Sequence, residues 1–162
     1  MKKVLLVIMM AAGTLCATAQ NKYAGTQYLD RVGHGQDSVA VVTAFQLYRD
    51  AIKAKDYKEA YEPWCTVIAK APVAQARIYT DGAQILQTLI SGEKDPAKKQ
   101  EYFDKLMEMY DTRLSHLDDL NAIGTEKTKT TKGNIITRKM SDYVNFNTKP
   151  VATDSLELKK KM

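Results

Sequence analysis

The chain has 162 residues, 44% apolar and 27% charged, with 8 Gly, 4 Pro and a formal charge of +5. That composition excludes a collagen-like or intrinsically disordered chain, and the length argues against a large multi-domain enzyme. The charge is uneven: Gln20 to Gly124 carries 13 basic and 15 acidic residues, Thr125 to Met162 carries 9 and 4. The basic C-terminal part lacks interleaved aromatic residues, so it reads as a solvated tail rather than a nucleic-acid interface; weak attraction to the anionic envelope surface is the alternative.

Residues 1–19 read as a secretory signal peptide. Lys2 and Lys3 open it, Val4 to Ala12 form its apolar run, and Ala17-Thr18-Ala19 supplies the small-residue cleavage site. Cleavage after Ala19 leaves Gln20 first and lowers the formal charge to +3. It also removes Cys16, one of two cysteines, which excludes an intramolecular disulfide framework. The expected compartment is the periplasm or cell envelope. Lipidation at Cys16 is the competing fate, but Leu15 stands where such processing favours a small residue.

Gln20 to Gln36 forms an irregular lead-in, with a helical turn expected around Tyr28 to Val32. Asp37 and Ser38 are placed to cap a first helix whose stripe is Val41, Ala44-Phe45, Tyr48 and Ala51-Ile52, ending near Ala54. A second stripe follows the Lys55-Asp56 turn: Tyr57, Ala60-Tyr61, Trp64, Val67-Ile68 and Ala71. Pro63 lies inside it, so this helix is expected to bend or restart there before Pro72 ends it. The third run, Ile78-Tyr79 to Leu89-Ile90, contains Gly82, whose cost inside a helix points to close packing. The fourth opens at Asp95-Pro96, a cap followed by proline at the first helical position, and its stripe continues to Leu117.

Residues 121–134 read as a polar Lys/Thr loop. Ile135-Ile136, Met140 and Tyr143-Val144 mark a shorter helix in the segment 135–162, and Thr153-Asp154 can cap a last basic piece. No strand-type alternation of useful length occurs. The expected fold is all-α, built from antiparallel helix pairs, two of them within 37–120. With the last pair incomplete, an apolar face should stay open near Ile136, Met140 and Val144, which favours self-association.

Ala44 and Ile78, Ala51 and Ile85, and Ile52 and Leu86 stand 34 residues apart, the tetratricopeptide spacing. Leu47, Tyr57, Ala60, Trp64 and Pro72 fall at family positions of a first repeat, and Gly82 at the helix-A glycine of a second. Asp56 to Trp64, Ile78 to Gly82 and Leu106 to Arg113 resemble exported tetratricopeptide-repeat proteins of Gram-negative bacteria, over roughly Val41 to Phe146. The resemblance implies an α-solenoid binding scaffold, with the chain as the N-terminal part of a longer relative. It implies Tyr57, Ala60, Trp64, Gly82 and Tyr110 as packing residues, and puts Val42, Phe45, Arg49, Ile52 and Lys53 on the groove face of the first helix.

Catalytic signals are sparse. Cys65, the one mature cysteine, adjoins Trp64 on an apolar helix and reads as a buried structural thiol. His34 and His116 are too far apart in sequence to give a metal-ligand spacing, and Asp118-Asp119 reads as a solvated helix end. No phosphate-cradling or nucleophile-elbow motif occurs. The expected function is capture of a protein or peptide partner by Arg49, Lys53 and Phe45, with no cofactor, no metal and no turnover. A surface nutrient (glycan)-binding module is the alternative.

Overall fold

In a computed structural model, residues 22–33 and 35–148 are described. The signal peptide, Cys16, His34 and the Thr153-Asp154 cap lie outside them. The described residues form a 3₁₀ turn, Tyr28–Arg31, and six α-helices, with no strand: α1 Gln36–Lys53, α2 Tyr57–Lys70, α3 Arg77–Gly92, α4 Pro96–Ser115, α5 Leu117–Ile123 and α6 Lys132–Asn147. The fold is all-α. α1 pairs with α2 and α3 with α4, α2 joins the two pairs through α3, and α6 lies along α4.

Helix starts follow local chemistry. Asp56 accepts the Glu59 amide at 3.1 Å, Asp95 accepts the Ala97 amide at 2.9 Å with Pro96 behind it, and Thr131 accepts the Asn134 amide at 3.2 Å. α1 departs from the expected cap. It begins at Gln36 after Gly35, whose φ of 65° few other residues adopt, so Asp37 and Ser38 sit in its first turn. Asp37 instead pairs with Lys70 at 2.8 Å, tying the start of α1 to the end of α2.

Pro63 does not restart the helix: α2 runs unbroken from Tyr57 to Lys70. A proline there costs about 3 kcal/mol. Ala60, Trp64, Val67 and Ile68 are all buried on the same helix, and each large apolar side chain recovers about 1.5–3 kcal/mol. The fourth helix is shorter than its stripe. It ends at Ser115, and Leu117–Ile123 forms a separate piece after His116, whose φ of −108° leaves the helical range. The polar loop narrows to the stretch between Ile123 and Lys132.

The core centres on the α2–α3 contact. Trp64 is fully buried and its indole N–H donates to the Ile78 carbonyl at 2.8 Å. Gly82 faces that indole: a Cβ built there would lie 2.3 Å from Trp64 Cζ2. Tyr48, Ile85, Leu86, Leu106, Met109 and Tyr110 belong to the same main cluster. A smaller cluster, Val32, Val41, Ala71 and Ala74, seats the lead-in on α1 and on the α2–α3 connection. α1 starts at Gln36 and α3 at Arg77, so the helix starts do not repeat at the 34-residue spacing. Leu47 is 57% exposed, not a packing residue of its helix. Tyr57 is only half-buried; it stands at the edge of the core, with its hydroxyl accepting from Gln84 Nε2 at 2.9 Å.

Candidate functional site

The α1 face singled out by sequence is not an open groove. Tyr28 from the lead-in packs on Phe45, ring centroids 5.3 Å apart, and Tyr48 meets Phe45 from the other side at 5.1 Å. Arg49 lays its guanidinium over the Phe45 ring at 5.9 Å, and Lys53 pairs with Asp50 at 2.7 Å on the exposed side of the helix. Val42 and Ile52 are partly buried against the two clusters. Phe45 is thus half-buried between Tyr28 and Tyr48, and the half-buried Arg49 lies over its ring.

A larger concavity opens on α3. Thr80 and Gln84 of α3 form one wall, Arg138 and Asn134 of α6 the other, and Arg113 of α4 lies between them; the cleft holds about 850 Å³. A smaller arm of about 230 Å³ continues along the same helices to Gln87, Tyr110 and Asp142 and shares Thr80, Gln84, Arg113 and Arg138. Lys127 and Lys129, from the loop before α6, close one end.

The charges of this cleft are unequally satisfied. Asp81 is buried and receives Arg77 Nε at 3.2 Å and the Tyr48 hydroxyl at 3.4 Å. Asp142 receives the Tyr110 hydroxyl at 2.7 Å and Gln87 Nε2 at 3.0 Å. Burial, then the Asp142 hydrogen bond, pushes the Tyr110 hydroxyl well above the ordinary phenol value. Lys129 pairs with Glu126.

Arg113 differs. It is 8% exposed, and among the described residues its guanidinium meets no carboxylate and no hydrogen-bond acceptor. Its partner is the Tyr79 ring, 5.7 Å from the guanidinium carbon. Desolvation, and then the charge of Arg138, lower its pKa from the ordinary arginine value. Sequence reasoning passed over Arg113, yet the signal was present. It occupies the next position of the stripe Phe103, Leu106, Tyr110, a charge where the helix period calls for an apolar side chain.

Of the remaining candidates, Cys65 is half-buried, and burial raises its thiol pKa, which keeps it protonated. His116 Nδ1 lies 3.7 Å from Asp119. No three His, Cys, Asp or Glu side chains among the described residues converge to hold a metal ion, and no described helix is long and apolar enough to cross a membrane. No family model, no curated protein and no solved structure matches the chain.

Proposed function

We propose that this is an exported helical-repeat scaffold that binds a protein or peptide partner without turning it over. The observation that carries this reading is the open cleft walled by α3 and α6 and floored by α4. Consecutive helix pairs that leave a concave helical surface take an extended or helical segment of a partner. Arg77, Thr80 and Gln84 on one wall and Arg138 on the other offer polar groups that fix such a segment in register. The tetratricopeptide resemblance agrees with this use of the fold, and the signal-like residues 1–19 favour an encounter in the periplasm or envelope. The exposed α6 stripe of Ile136, Met140 and Val144 supports association with a second copy as part of the same reading.

Photo-crosslinking in cells tests the proposal. A benzophenone side chain at Thr137, an exposed cleft position, should yield a discrete polypeptide adduct, whereas one at the exposed Leu47 of α1 should not. Adducts from Leu47 alone would move the binding surface back to α1. No adduct from either position would remove the protein-binding reading.

A further inference from the structure

From the isolation of Arg113 on the cleft floor we infer a built oxyanion site: Arg113 and Arg138 together receive a carboxylate or phosphate group of the ligand. The inference rests on the cleft being the binding site, but not on the ligand being a protein.

Arg113 is largely buried without a protein acceptor, and its nitrogens reach the cleft rather than being sealed in the core. A buried guanidinium is costly unless its N–H groups find acceptors, and proteins normally supply them from neighbouring carboxylates or carbonyls. The two acids nearest this cleft are already engaged. Asp81 is taken by Arg77 and Tyr48, and Asp142 by Tyr110 and Gln87. Tyr79 covers one face of Arg113, while its own hydroxyl donates elsewhere, to the Pro72 carbonyl at 2.9 Å. The in-plane N–H groups of Arg113 are left for whatever enters the cavity that Arg113 lines.

Arg138 lines the same cavity from α6 and has no ion pair among the described residues. Two like charges facing one cavity repel, which an anion between them reverses. Guanidinium offers paired N–H donors matched to carboxylate and phosphate oxygens, and a low-dielectric floor strengthens those bonds. The Ser141 hydroxyl and Lys127 stand at the rim, within the lining of the two arms, as further donors.

The test uses the whole mature chain, with inorganic phosphate and malonate as probes and chloride at matched ionic strength as the control. Calorimetry and amide chemical shifts should report saturable binding of at least one of the two, with shifts centred on Arg113, Arg138 and Thr80. Tighter phosphate binding assigns a phosphoryl source, and tighter malonate binding a carboxylate source. At ten times its dissociation constant the bound anion should raise the folding equilibrium constant about elevenfold.

Arg113→Met should weaken binding by at least about tenfold. Without anion its denaturant midpoint should stay close to the parent's, because the guanidinium has no carboxylate partner to lose. Arg138→Gln, at an exposed side chain that does not threaten folding, should weaken binding several-fold, and Arg49→Gln on α1 should leave it unchanged. The inference fails if neither anion saturates, if Arg138→Gln binds like the parent, or if Arg49→Gln weakens binding equally. Crosslinks from Thr137 in a protein that binds no anion would sink this inference and spare the scaffold reading. Anion binding without crosslinks would do the reverse.

Discussion

Gly82 and Trp64 form one packing unit, and either can be broken alone. Alanine is the better helix former by about 1 kcal/mol, so Gly82→Ala on an exposed helix would stabilise. Here the added methyl would meet the indole at 2.3 Å from Cζ2, and the indole is anchored by its bond to the Ile78 carbonyl. Overpacking of this kind costs about 1–3 kcal/mol, so the substitution should lower the urea midpoint despite its propensity gain. Trp64→Ala should cost about 3–5 kcal/mol, from lost burial plus the cavity. Gly82→Ala should cost less in a Trp64→Phe background than in the parent, since the smaller ring vacates the space. Additive costs in that double-mutant cycle would show that the two residues do not press on each other.

At the scale of elements, α6 has three faces with three fates. Ile135 is buried in the main cluster, Arg138 and Ser141 face the cleft, and Ile136, Met140, Tyr143 and Val144 stand exposed, Met140 by 55%. Ile135→Ala should therefore cost about 2–5 kcal/mol, and Met140→Lys, in protein diluted until no second copy covers the outer face, should stay within about 0.5 kcal/mol of zero, both read from denaturant unfolding. A large cost for Met140→Lys would mean that the outer face is covered in solution. The stripes that define α1 to α4 are legible in sequence because burial imposes the helical period. The open face of α6 is legible too, since its apolar residues outnumber the surfaces left to cover them. The interruptions are harder to read. Nothing local distinguishes Pro63, which the helix absorbs, from His116, where it stops, because the outcome depends on burial supplied by other helices. The candidate site lay hidden for the same reason. Phe45 is covered by Tyr28 from a lead-in without periodicity, and Arg113 gains meaning only when α3 and α6 flank it.

The whole molecule is rich in shielded phenols. Burial is the first cause that raises the pKa of Tyr48, Tyr61, Tyr79 and Tyr110 above the ordinary value of 10.0. The unfolded chain releases these protons near that value while the folded chain keeps them, so the folded state binds more protons at high pH. The stability they contribute is complete below about pH 10 and falls as pH rises beyond it. Denaturant midpoints should thus drop as pH rises above about pH 10, with the ring signals of Tyr48, Tyr61, Tyr79 and Tyr110 reporting ionisation together with unfolding rather than before it. Ionisation of these four rings in a chain that keeps its helical circular dichroism would show that these hydroxyls are open to solvent.

Asp142 accepts from α3 and α4 at once, through Gln87 and Tyr110, and sits on α6, whose main packing partner among the described residues is α4. A helix so placed should detach as a unit, in an opening smaller than global unfolding, so its amide protons should exchange with a common free energy below that of α2 and α3. Because α6 is also a wall of the cleft, a ligand seated against both walls would tie it down, and its amide exchange should slow as the cleft fills.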